Sequence, residues 1–341
     1  MKLEDRRPHL LGCVIITFAA TIIGLGRSAS AIAAADSPAI DRPAADPASP
    51  AHTNCNALRE HDQIWLISTR ALGCPSDAAT PALQFWKYDG NGAWIDSTLA
   101  AFLAADDPKT ATDFYVHGNF DSADDAVQQG LTIYSRLTAQ AAVNQSLRFV
   151  IWSWPTDQGK HPLRTTRMHA HRSDVDAYYL GWLIGRIESR TKIGLIGYSL
   201  GARVATGALH LLGGGQLLGL TLPVDSKAPH RTVRAVLLAA AEDCDWLSPG
   251  HPNGEAVPFA DRMLLLNNGC DSALKLYPHL ERCSSAEALG YVGVCGPVDT
   301  QKIEQLDVCC TIGKQHEWSR YFYNDSLITD MLPILFLDGA K

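Results

Sequence analysis

The segment Gly197-Tyr198-Ser199-Leu200-Gly201 has the residues needed to lift a serine hydroxyl clear of a protein surface. Apolar Ile193–Ile196 precedes it and the amphipathic run Leu200–Leu212 follows, which places Ser199 on a strand-to-helix turn. A turn that sharp drives its central residue into strained backbone angles. Glycines two positions to either side remove the Cβ atoms that would collide there. The hydroxyl then stands at a helix N-terminus, where the dipole favours developing negative charge. G-x-S-x-G alone has little specificity, because Gly and Ser are common in loops. The strand before it and the helix after it make Ser199 an expected nucleophile.

A serine nucleophile needs a base, an acid that orients the base, and donors for an oxyanion. On a strand-turn-helix of this kind the chain order is Ser, then acid, then His. His210, His230, His251, His279 and His316 all follow Ser199. His210 falls in the helix after the nucleophile, His230 and His251 in Pro-containing loops, and His279 too early for a base placed after a last strand. His316, between the apolar segment Ile303–Cys309 and a closing helix from about Trp318, is in the right place. For the acid, Asp271 follows the apolar strand Arg262–Leu266, while Glu242, Asp243 and Asp245 follow the strand before it. Asp271 is preferred, and the earlier cluster remains a candidate. After the strand Asp113–Val116 comes His117-Gly118-Asn119. Its glycine permits close backbone approach, so the N–H groups of Leu200 and of Asn119 or Phe120 are the expected oxyanion donors. His117, ahead of the nucleophile in the chain, is read as support for this loop.

These residues need a frame. From residue 62 onward, short apolar runs alternate with amphipathic stretches. Strands are expected at Ile64–Ser68, Leu83–Tyr88, Asp113–Val116, Leu147–Trp152, Ile193–Ile196, Val233–Ala240, Arg262–Leu266 and Ile303–Cys309. Helices are expected at about 121–142, 169–189 and 200–212. Strands separated by helices of this length build βαβ units, hence an α/β fold with a mostly parallel central sheet and helices on both faces. Nearly continuous apolar strands agree with a sheet covered on both sides.

The chain has 341 residues, 46% of them hydrophobic and 19% charged, with a net charge of -7. That balance excludes disordered and collagen-like chains and opposes a nucleic-acid partner. Lys2, Arg6 and Arg7, the apolar run from Leu10 to about Gly26, and Ala33-Ala34-Ala35 are the parts of a signal peptide over 1–35. Leu10-Leu11-Gly12-Cys13 resembles a lipoprotein box but precedes the apolar run instead of ending it. An uncleaved anchor is the alternative, because the run is about 17 residues, at the lower limit for a span. Cleavage removes four Lys/Arg and two Asp/Glu, taking the net charge from -7 to -9. Residues 36–54 are Pro/Ala/Asp-rich and suit a tether, and 55–341 form the folded domain. Of nine cysteines, eight remain after cleavage. An even count in an exported chain points to disulfides, with Cys55–Cys74 the expected pair, and the paired spacing of a zinc site is missing. The vicinal Cys309 and Cys310 are expected to contact different partners or to leave one thiol buried.

The segments Phe114-Tyr115-Val116-His117-Gly118-Asn119, Val150-Ile151-Trp152-Ser153-Trp154-Pro155, Gly197–Val204, Asn268–Leu274 and Gln315-His316-Glu317-Trp318 occur in that order. On these segments the chain resembles the α/β-hydrolase superfamily, and is most similar to a bacterial group of largely uncharacterised α/β-hydrolase-like proteins of serine esterase/lipase type. The resemblance spans about 113–323 and leaves out residues 55–110 and the cysteine pattern. It implies an α/β-hydrolase fold with Ser199, Asp271 and His316 as a catalytic triad. The expected activity is ester hydrolysis in a secreted or periplasmic setting, with no cofactor and no metal. The expected partner is a small-molecule acyl substrate, and the only expected membrane contact is an uncleaved N-terminal segment. Acyl transfer, amide hydrolysis and a catalytically silent envelope binding protein are the alternatives. Residues 156–172 add four Lys/Arg and three His to an otherwise acidic chain. They read either as a rim attracting anions or as a solvated loop.

Overall fold

The computed structural model describes residues 58–75, 80–223, 231–279, 285–337 and 339. The expected signal peptide and tether lie outside these residues. Nine strands are described: β1 (Gln63–Ser68), β2 (Gln84–Tyr88), β3 (Trp94–Ser97), β4 (Ala111–Val116), β5 (Leu147–Ser153), β6 (Ile193–Tyr198), β7 (Val233–Leu238), β8 (Arg262–Asn267) and β9 (Ile303–Asp307). They form one sheet in the order β3-β2-β1-β5-β4-β6-β7-β8-β9. The β1–β2 and β2–β3 pairs are antiparallel, and every other neighbouring pair is parallel.

The first four helices are α1 (Leu99–Ala104), α2 (Ala123–Gln140), α3 (Pro162–Ile184) and α4 (Leu200–Leu212). Five short ones are described after them: α5 (Ala256–Phe259), α6 (Leu289–Val292), α7 (Cys309–Ile312), α8 (Trp318–Phe322) and α9 (Asp325–Met331). Helix α4 packs with α3 and α5, and α2 packs with α8 and α9. Every residue of β4, β5 and β6 is buried, as parallel strands covered on both faces must be. Trp152, Trp154, Tyr178, Tyr179 and Trp182 are core residues. No described helix is long and apolar enough to cross a membrane.

Two expectations about elements need correction. Helix α3 runs Pro162–Ile184, so it begins seven residues before the expected start at His169 and ends five before Ser189. Pro162 occupies its first turn, where a missing N–H costs nothing. The opening turns lie at the surface and lack the apolar period by which a helix is recognised. The edge strand β3 and helix α1 were not foreseen. β3 is four residues with no fully buried position, too short and too exposed for alternation to register.

Beneath α1, the fully buried Arg148 ties β5 to its neighbours. Its Nε donates to Thr112 Oγ1 at 2.8 Å, Nη1 to Phe102 O at 3.0 Å and Nη2 to Asp106 Oδ1 at 2.8 Å. Burial pulls its pKa down to about 10, and Asp106 opposes that fall. Removing the carboxylate alone leaves an uncompensated buried cation. Asp106→Ala is therefore expected to lose roughly 3–5 kcal/mol of stability, and Asp106→Ala/Arg148→Met clearly less. Chemical denaturation measures both. A double variant no more stable than the single one would contradict the account.

Candidate active site

Four loops leave the C-terminal ends of parallel strands β4, β6, β8 and β9, the edge at which open α/β sheets place ligands. Their order in the sheet is the order in which they contribute side chains.

Ser199 sits between β6 and α4 with φ 54° and ψ -121°, a positive φ as the turn requires. Both flanking glycines are forced by packing. A Cβ at Gly201 would lie 2.1 Å from Val116 O and 2.5 Å from His117 O. One at Gly197 would lie 2.5 Å from Ala202 Cα. The first turn of α4 thus presses directly on the end of β4. A third glycine completes the approach, since a Cβ at Gly118 would meet the Tyr198 ring at 2.8 Å and Ser199 Cβ at 3.2 Å. The Asn119 loop therefore runs beside the nucleophile.

Ser199 Oγ lies 2.9 Å from His316 Nε2, and His316 Nδ1 lies 2.7 Å from Asp271 Oδ2. Asp271 is fully buried, and its other oxygen accepts from the N–H groups of Ala273 at 2.9 Å and Leu274 at 3.0 Å. These bonds replace the water lost on burial and fix the carboxylate plane. With the carboxylate accepting, Nδ1 carries the proton and Nε2 is free to accept from the serine hydroxyl. Tyr198 OH donates to His316 O at 3.0 Å, and its ring packs on the imidazole at 5.4 Å. The structure thus brings Ser199, His316 and Asp271 into one hydrogen-bonded line.

The rival residues point elsewhere. Asp243 Oδ1 accepts from Tyr277 OH at 2.8 Å, and Asp245 lies 3.3 Å from His251. Glu242 is buried beneath α4 and accepts from Thr206 Oγ1 at 2.7 Å and Asn253 Nδ2 at 2.9 Å. Burial raises its pKa to about 7. His210 is buried against the backbone N–H groups of Gln216 and Glu255, and His279 offers its carbonyl to Arg167 at 2.9 Å. His230 lies outside the described residues.

Beside Ser199, no described protein group accepts from the backbone N–H of Leu200, Asn119 or Phe120. His117 is fully buried and stacks on Trp154, accepting from Trp154 N–H through Nε2 at 3.1 Å. Its Nδ1 faces Gly118 O at 3.0 Å and Asp121 at 3.4 Å. Its contacts tie the loop to Trp154 and Asp121. The basic run opens α3. Arg164 and His171 are exposed, on the side of the helix away from buried His169, Ala170, Ser173 and Ala177, which fits a solvated face.

Among the described residues two disulfides are present, Cys244–Cys295 and Cys270–Cys309. The second joins the loop bearing Asp271 to the helix that leads to His316. Asn268 Nδ2 donates to Gly313 O at 2.8 Å and Ser272 Oγ to Lys314 O at 2.9 Å across the same gap. Of the expected Cys55–Cys74 pair, Cys55 lies outside the described residues, and Cys74 is an exposed free thiol. Cys309 is bridged, but its vicinal Cys310 is exposed and not buried, because α7 is a single surface turn. The sequence reading missed Tyr198, His169 and Thr166. The two helical residues hold the Asn119 side chain, and only their i, i+3 spacing could have hinted at a shared face.

Two outcomes follow from these packings. Cys270→Ser/Cys309→Ser is expected to lose about 2–4 kcal/mol in non-reducing denaturation, and unchanged stability would argue against the cross-link. For Glu242, the unfolded carboxyl ionises near 4.5 while the folded one keeps its proton to about 7. The folded state then binds more protons over that window, so this contribution to stability is lost as pH rises through it. Glu242→Gln should therefore become progressively more stable relative to wild type from pH 4.5 to pH 7. A difference independent of pH would refute the assignment.

No model of a known protein family matches the chain, and no curated protein matches it, so the reading of this site rests on its residues and their geometry.

Proposed function

We propose that the protein is an exported serine hydrolase of α/β-hydrolase fold that cleaves carboxylic esters through an acyl-enzyme. The observation that carries the reading is the line Ser199 Oγ–His316–Asp271, with distances of 2.9 and 2.7 Å, beside backbone N–H groups that no described protein group engages. Ser199 Oγ attacks the acyl carbon while its proton passes to His316 Nε2. Asp271 holds the imidazole by Nδ1 and stabilises the imidazolium that forms. The N–H groups of Leu200 and of Asn119 or Phe120 receive the oxyanion, at a helix N-terminus where the dipole adds favourable potential. His316 returns the proton to the leaving alcohol, and water repeats the sequence to release the acid. None of these steps draws on a metal or cofactor. Two disulfides fit an oxidising compartment, which supports the secreted or periplasmic setting.

The reading is tested by turnover of p-nitrophenyl esters and by labelling with a fluorophosphonate. Wild type should react with both, and Ser199→Ala should lose labelling and on the order of 10⁶ in kcat. Asp271→Asn keeps the shape but favours the wrong tautomer, so about 10⁴ in kcat should be lost with little change in KM. Asp243→Asn should retain near-normal turnover. A folded wild type that neither turns over esters nor labels would leave a silent binding protein. Collapse in Asp243→Asn with Asp271→Asn active would move the acid to the earlier loop.

A further inference from the structure

The loop carrying Asn119 and Phe120 is held from outside by helix α3. Asn119 Nδ2 donates to Thr166 Oγ1 at 2.9 Å, and the Thr166 hydroxyl donates in turn to Pro162 O at 2.9 Å. These two bonds fix the orientation of the Asn119 amide. With Nδ2 committed to Thr166, the oxygen facing α3 is an acceptor, and His169 Nδ1 lies 2.5 Å from it. His169 Nδ1 therefore carries the proton. The imidazole is buried, and desolvation lowers its pKa. The same ring meets Phe120 edge-on at 6.1 Å.

Phe120 has φ 64°, an angle that strains a bulky side chain and persists only where the surroundings over-determine it. The far end of the loop is fixed separately. Asp121 O accepts from Arg70 Nη2 and from Thr156 Oγ1, each at 2.9 Å, and Ser122 caps α2. Gly118 is pinned against Tyr198 and Ser199. The two peptides between these anchors follow Gly118, which packs against Ser199, and it is Thr166 and His169 that hold the Asn119 side chain between them. The two residues are three apart on α3 and reach the same amide.

We infer that Thr166 and His169 are positioning residues that hold the Asn119–Phe120 backbone so that its N–H groups meet a developing oxyanion. The inference rests on the hydrolase reading for its consequence, but the restraint itself is a property of the fold. A misplaced oxyanion donor lowers the rate of the chemical step and leaves ground-state binding nearly unchanged.

The test uses the full chain as wild type, His169→Ala, His169→Asn and Thr166→Val. Asn places an N–H close to the position of His Nδ1, so it is the conservative variant. Turnover of p-nitrophenyl acetate should fall on the order of 10–100-fold in kcat for His169→Ala and Thr166→Val, with KM within about twofold. His169→Asn should recover most of that loss. Amide hydrogen exchange over 118–121 should rise about tenfold in His169→Ala and Thr166→Val and stay near wild type in His169→Asn. Unchanged exchange in His169→Ala would overturn the inference. So would a loss of kcat shared equally by His169→Asn, since that marks general damage to the helix. If wild type neither hydrolyses esters nor takes the fluorophosphonate, the hydrolase reading fails, and the exchange measurement still decides whether α3 restrains the loop.

Discussion

The close approach of the first turn of α4 to the end of β4 sets the geometry of the whole candidate site. Val116 and His117 turn their carbonyls toward Gly201 at a separation that only a glycine tolerates. That contact fixes where Ser199 stands and forces its positive φ. It also brings the His117-Gly118-Asn119 loop beside the serine, because Gly118 has no Cβ to strike Tyr198. One steric constraint therefore places the hydroxyl and the open backbone donors together. The strain is borne by a sheet whose central strands are buried on both faces and by a helix wedged against α3.

The second half of the site depends on β8 and β9 being neighbours. Their parallel pairing ends at Asn267 opposite Asp307, so the loops that follow start side by side. The Cys270–Cys309 bridge and the bonds from Asn268 and Ser272 then lock one loop to the other. Asp271 faces His316 across that locked gap, with its remaining lone pairs taken by backbone N–H groups. A histidine oriented this way has a single tautomer available, with Nε2 left to face Ser199. Rigidity comes from covalent and backbone contacts close to the pair, and the imidazole edge stays partly open.

Much of this was legible in the chain. Ser199, Asp271 and His316 follow the ends of β6, β8 and β9, and from β6 to β9 the strands lie in the sheet in chain order. Glycine spacing around Ser199 encoded a steric requirement, and the structure displays the atoms that impose it. The choice between Asp271 and Asp243 was less legible, because both follow strands and only tertiary contacts separate them: Tyr277 takes Asp243, His316 takes Asp271. The disulfide partners were not legible, since bridging follows from which loops become adjacent and not from distance along the chain. Nor was the hold of Thr166 and His169 on Asn119, which joins residues about fifty apart through a helix whose exposed start carries no apolar period.

The central claim is that Ser199 is an activated nucleophile facing a preformed oxyanion site, and a crystal structure of the phosphonate-treated protein tests it most directly. The account predicts a phosphonyl group bonded to Ser199 Oγ. One of its oxygens should lie about 2.7–3.1 Å from the backbone nitrogen of Leu200 and from that of Asn119 or Phe120. A phosphonyl group on another residue, or one on Ser199 with its oxygen turned away from both amides, would contradict it.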